Sequence, residues 1–253
     1  MNELARKFFQ EFKRVRFLSE EKEAAWSELS EIIPRGWFEL SRVSTADRVA
    51  FVREYWQARL PYHPVSHTRF STFFSQLDDV AVVLTATKEE EPLSAELVYS
   101  LYDNSSFFRG LPPATEEAAE GLYDELETTF PRDYLAFLKI HNGFGKLSSL
   151  GLFPLENIAE MREKVKELIS SADPPMRVNP RALIPFYEEE GLFAFQCFYA
   201  DWYPAGEMGN VYLSGIDYTM SDTSDWKSWR DNFAFPTFLE WLSEYLEGMS
   251  LSP

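Results

Sequence analysis

Phe130-Pro131-Arg132-Asp133-Tyr134-Leu135-Ala136-Phe137-Leu138-Lys139-Ile140-His141-Asn142-Gly143 is the stretch on which the reading of this chain turns. Proline suits a first helical turn, where its missing N–H has no intrahelical partner. Tyr134, Phe137, Leu138 and His141 then fall on one face at helical spacing. Gly143 stands at the stop, where a left-handed cap favours glycine. The spacing predicts a short amphipathic helix with a defined start and end.

Outward from this helix the hydrophobic period alternates between classes. Upstream, residues 80–85 and 96–102 are β-rich runs separated by the polar turn 88–92, a hairpin candidate, and 110–113 read as a breaker. Thr115 can cap a helix whose first turn carries Glu116 and Glu117. Downstream, 145–155 is extended, 156–169 is a charged, exposed helix, and 183–187, 192–199 and 210–213 are strands. A last apolar helix follows Pro236. Residues 1–60 read as three helices: one through Leu4, Phe8, Phe12 and Val15, one ending at Pro34 and Gly36, and one capped by Ser44 with Asp47. Helices and strands do not alternate strictly, so the expected class is α+β, a central, largely antiparallel sheet flanked by helices.

The quoted stretch also resembles the signature of the SUKH superfamily, which comprises bacterial toxin-immunity proteins and relatives of fungal cell-wall regulators. Pro131, Asp133, Tyr134, Phe137, Leu138, Asn142 and Gly143 match that pattern, while Phe130 replaces its usual leucine. The order continues through Phe153-Pro154-Leu155-Glu156, Ile184-Pro185-Phe186 and Asn210-Val211-Tyr212 to the closing Phe235-Pro236-Thr237-Phe238-Leu239-Glu240-Trp241-Leu242. One departure stands out: Gly191 is followed by Leu192 where the family often has Gly-Asp. The resemblance spans about residues 111–248. It implies a SUKH-like domain over 61–253 with an N-terminal helical extension over 1–60, and a scaffold that binds protein partners. Fold alone does not fix function, so that step is analogy.

Charge narrows the partner. Residues 1–60 carry 11 Lys/Arg against 10 Asp/Glu, and residues 61–253 carry 13 against 31, in a chain of net charge −17. Such a surface repels nucleic acid and steers basic proteins toward it. Acidity of this kind also simply keeps a protein soluble. No run of about 18 apolar residues points to a membrane span, and the start lacks a signal-peptide pattern. The expected compartment is the cytoplasm, the expected partner is a basic protein, and no cofactor or metal is expected.

Candidate chemistry is sparse. The single cysteine, Cys197, lies in an apolar run and reads as a small buried hydrophobe. His63 and His67 lack further ligands for zinc, and His141 reads as a satisfied, partly buried histidine. The pairs Asp78-Asp79 and Glu188-Glu189-Glu190 are expected on exposed turns, where adjacent carboxylates stay solvated. Partner binding is instead expected where acids and aromatics interleave, at Asp201-Trp202-Tyr203 and across Asp217, Tyr218, Asp222, Asp225, Trp226 and Trp229. Trp226 and Trp229 could equally close the core. The turn Glu188–Glu190 is the next choice. The first functional expectation is an immunity protein that occludes a basic toxin. An adaptor whose N-terminal helices engage a second partner is the alternative, and a hydrolase with an unrecognised site stands last.

Overall fold

The computed structural model describes residues 1–21, 24–126, 128–149, 151–173, 175–176, 178–189, 191–204, 206–224 and 233–248, with backbone alone at 123–125. One antiparallel sheet has the order β1 (Arg14–Phe17), β2 (Leu77–Ala86), β3 (Ser94–Leu101), β4 (Phe107–Gly110) and β5 (Phe144–Lys146). A second has the order β6 (Leu183–Glu189), β7 (Ala194–Tyr199), β8 (Asn210–Ser214) and β9 (Thr219–Met220). The class is α+β, and the expected central, antiparallel sheet is divided into two sheets. Leu152 stitches them, with single bridges to Phe144 on one side and Tyr187 on the other.

The helices are α1 (Glu3–Phe9), α2 (Trp26–Leu29), α3 (Arg35–Leu40), α4 (Thr45–Arg59), α5 (Pro64–Ser75), α6 (Glu116–Leu126), α7 (Arg132–Leu138), α8 (Leu155–Ser170) and α9 (Phe238–Leu246). The Ser44 hydroxyl accepts from the Asp47 N–H and starts α4, which lays Val52 and Trp56 into the core. Pro64 sits in the first turn of α5, with the His63 ring accepting from the Ser66 N–H. In β2 the run from Val80 to Leu84 is buried on both faces, as a central strand covered on two sides requires.

The N-terminal helix ends at Phe9, and Val15 belongs to β1, opposite Thr85. In Arg14-Val15-Arg16-Phe17 the period of two prevails over the helical spacing, and Val15 and Phe17 pack toward Phe9, Val98 and Phe107. Pro34 opens α3 instead of closing a helix, because its fixed φ suits the entry to a helix. Residues 1–60 thus contribute a strand to the first sheet as well as short helices.

Three further expectations are corrected. The breaker expected at 110–113 begins one residue later, because Gly110 closes the strand Phe107–Gly110; a Cβ at Gly110 would fall 2.4 Å from the His141 ring, so glycine there permits close approach to β4. Asp79 is a buried residue of β2, not a solvated turn residue, and its Oδ1 accepts from Arg48 Nε at 2.9 Å and Nη2 at 2.8 Å. Its partner exists because α4 packs directly on β2. The helix α8 is amphipathic rather than wholly exposed, burying Val165 and Ile169 against the second sheet and Ile158 in the main core.

Candidate partner-binding surface

The residues of the quoted stretch join three helices. Pro131 precedes α7, which ends at Leu138; Ile140 and His141 then donate their N–H groups to the Phe137 carbonyl at 2.7 and 2.9 Å. The helix stops before Asn142-Gly143, and Gly143 turns the chain into β5 at φ +97°. A Cβ at Gly143 would also press the Pro154 ring at 3.1 Å. Asn142 serves the start of α8, where Pro154 offers no side-chain acceptor: its Oδ1 accepts from the Leu155 N–H at 2.8 Å and its Nδ2 donates to Glu156. The buried Asp133 accepts from the Tyr134 N–H and from the Leu239 N–H, each at 2.9 Å, so it ties α7 to the first turn of α9. Burial pushes its carboxyl above the usual range, and those two N–H groups oppose the push. Tyr134, Phe137 and Leu138 are buried in the core.

His141 and Cys197 are both buried. His141 Nδ1 meets the Leu111 carbonyl at 2.9 Å and Nε2 meets the Tyr99 hydroxyl at 2.6 Å. The residue is fully buried, not partly so, and desolvation pushes its pKa down to about 4. Cys197 is buried in β7, and burial pushes its thiol up. Among the described residues no group of three or more His, Cys, Asp or Glu is placed to hold a metal ion. No helix among them is long and apolar enough to cross a membrane.

The acid-and-aromatic residues expected to bind a partner divide between the two ends of the second sheet. Asp201, Trp202 and Tyr203 lie in the β7–β8 connection. There the Trp202 N–H donates to the Tyr199 carbonyl at 3.0 Å, and the Trp202 carbonyl accepts from the Gly209 N–H at 2.9 Å. The Trp202 ring covers Gly209, whose Cβ would fall 2.4 Å from it, so this tryptophan closes the turn while Asp201 and Tyr203 are exposed. Asp217 and Tyr218 lie at the opposite end, in the β8–β9 turn, about 20 Å away by the length of a six-residue strand. Asp222 follows β9 and accepts from the Ser224 N–H at 2.8 Å, which holds its carboxyl below the usual range. Asp225, Trp226, Trp229 and Glu190 fall outside the described residues.

Glu188 and Glu189 also reach the Asp217 end, because Glu189 pairs with Ala194 and Ala194 with Ser214. They are half-buried strand residues and not a solvated turn. Glu188 pairs with Lys164 at 3.2 Å, and Glu189 accepts from the Tyr187 hydroxyl. The packing of α8 on β6 supplies the lysine, so this part of the expected acidic surface is already partnered.

The apolar run 192–199 predicts that Leu192 and Phe193 lie inside a strand. The strand begins at Ala194, and Gly191 at φ +81° opens a turn that leaves Leu192 exposed and Phe193 51% exposed. Ile216, in the neighbouring turn, is 63% exposed. The two turns touch: the Gly215 N–H donates to the Phe193 carbonyl at 2.7 Å. Phe193 (φ +48°) and Tyr218 (φ +51°) both hold left-handed backbone, a region that bulky side chains seldom occupy. The Lys164 ammonium lies 5.5 Å from the Phe193 ring centroid, which fixes one side of the patch. The signal available in sequence was Gly191 before a large apolar pair.

No curated protein matches the chain. The model of the SMI1 / KNR4 family (SUKH-1) matches residues 113–244, from the loop before α6 through most of α9 and including the α7–Asn142–Gly143 junction described above. That match covers just over half of the chain, so the chain belongs to the SMI1 / KNR4 family (SUKH-1), a family of protein-interaction modules.

Proposed function

We propose that this chain binds a basic protein partner through the end of its second sheet formed by the turns at 191–193 and 215–218. The observation that carries the reading is the pair Phe193 and Tyr218, exposed side chains on left-handed backbone in adjacent turns. Backbone of this kind persists only where the surroundings enforce it, and it gathers at sites of contact. Exposed aromatics supply the desolvated anchors of an interface. Asp217 and the acidic balance of residues 61–253 supply the rim that speeds encounter with a basic surface. Within the family, occlusion of a basic toxin by this acidic tip is the specific role the proposal favours.

The test is capture from native lysate on immobilised chain at low and high salt, with the captured proteins identified. Wild type and Asp201→Lys should retain the same basic proteins, whereas Phe193→Ser/Tyr218→Ser should lose them. Retention should fall with salt, because screening shortens the electrostatic reach to about 10 Å at 0.1 M ionic strength. Equal capture by the tip variant, or capture indifferent to salt, would overturn the reading.

A further inference from the structure

A pocket of about 180 Å³ opens on the first sheet, between α3, α4 and the segment that follows α7. Its base is Trp56, Tyr99 and His141; Trp37 and Val52 form its walls; Phe51, 56% exposed, stands at its mouth. The family match contributes only Pro113, Ile140 and His141 to the lining, so the pocket is chiefly a product of the N-terminal segment and β3.

The polar atoms of the base are engaged with one another. Trp56 Nε1 donates to the Tyr99 hydroxyl at 3.2 Å, that hydroxyl meets His141 Nε2 at 2.6 Å, and His141 Nδ1 meets the Leu111 carbonyl at 2.9 Å. At the mouth, the Tyr55 hydroxyl donates to the Lys139 carbonyl at 3.3 Å. No lining side chain is a carboxylate, lysine or arginine. An anionic ligand would therefore lose its hydration without gaining a partner, and for a cation the ring faces offset only part of that loss. A neutral, apolar one loses nothing of the kind. An apolar cavity of about 150 Å³ is large enough to hold benzene, and the surrounding rings favour an aromatic guest over an aliphatic one through edge and offset contacts.

The space is also cheap to fill, yet it stands open. Gly36 lines it from within α3, and a Cβ there would meet nothing within 4 Å. Glycine in a helix is unfavourable relative to alanine, yet Gly36, exposed in the first turn of α3, leaves the rim of the pocket open. We infer that this pocket is a binding site for a small, uncharged, single-ligand aromatic molecule of indole size, separate from the partner surface on the second sheet.

Indole is the probe, titrated against the full chain by calorimetry, with tetramethylammonium and indole-3-acetate as the cationic and anionic comparisons. Indole should bind saturably at one site, and the two ions should not. Gly36→Leu, and as a second plug Leu40→Phe, should each weaken indole by roughly tenfold or more, the scale on which hydrophobic pockets discriminate by added bulk. Each variant is first checked for a wild-type-like cooperative unfolding transition. Phe193→Ser should leave indole affinity unchanged, which separates this site from the partner surface. Absence of saturable indole binding, binding of tetramethylammonium in its place, or undiminished affinity in a folded plugged variant would each overturn the inference.

Discussion

The junction around α7 and the tip of the second sheet treat their aromatic residues in opposite ways. At the junction Phe137 is buried against Trp56, Phe144 and Phe238 with ring centroids 5.5 to 5.7 Å apart, and Asp133 and Asn142 tie the neighbouring helix starts together. At the tip Phe193 and Tyr218 face water on left-handed backbone. The residues by which the family is recognised hold the fold. The surface proposed for the partner includes the turn where the chain departs from that pattern, at Leu192. Substitutions should therefore separate stability from binding.

The largest effect is expected at the junction. Phe137→Ala should destabilise the chain by about 3–5 kcal/mol, the usual cost of deleting a buried phenylalanine ring. Denaturant unfolding measures it, and a loss near that of a surface change would break the contrast. Asp133→Ala should cost about 2–3 kcal/mol, because it leaves the buried Tyr134 and Leu239 N–H groups without their acceptor. Asparagine at the same position, able to keep one acceptor, should recover part of that loss.

His141 adds a pH signature to the junction. Its pKa is about 4 in the folded chain against an ordinary value near 6.5, so the unfolded chain binds more protons between these values. The stabilising contribution is complete above about pH 6.5 and declines as pH falls toward 4, reaching a loss of about 2 kcal/mol by pH 5. Glu96 and Asp133, whose carboxyls burial pushes up, act with the opposite sign. The difference in unfolding free energy between wild type and His141→Gln across this range isolates the histidine. A difference independent of pH would contradict the geometry of the Tyr99–His141–Leu111 chain.

The smallest effects are expected at the tip, where stability and binding should move apart. Phe193→Gly should leave stability unchanged or raise it by about 0.5 kcal/mol, since relief of left-handed strain outweighs the flexibility that glycine adds. The same change should abolish partner capture. Asp217→Lys should alter stability by no more than about 0.5 kcal/mol while slowing association. Marked destabilisation by either variant would mean that the tip is structural, like the junction.

Much of the scaffold was legible because it follows local rules. The Ser44–Asp47 cap, the Pro131 entry, the Gly143 exit and the long apolar run of β2 all announce themselves by residue type and spacing. What was hidden depends on partners distant in sequence. Asp79 is buried because Arg48, on α4, reaches it. Glu188 loses its freedom to Lys164 of α8, and Gly110 reads as a breaker until the His141 ring is seen beside it. Arg14–Phe17 forms a strand only because the edge of β2 is there to pair with it. The candidate surface was partly visible, in Asp217 and Tyr218. Its apolar half was not, since Leu192 and Phe193 have the composition of a buried strand and differ from one only in following Gly191.

Amide hydrogen exchange of the chain alone and in complex with its captured partner decides where the partner sits. Added protection is expected at 191–193 and 215–218, with exchange at 131–143 and 201–203 unchanged. Protection centred on 201–203 or on the α7 junction, with the two turns unaffected, would contradict that placement.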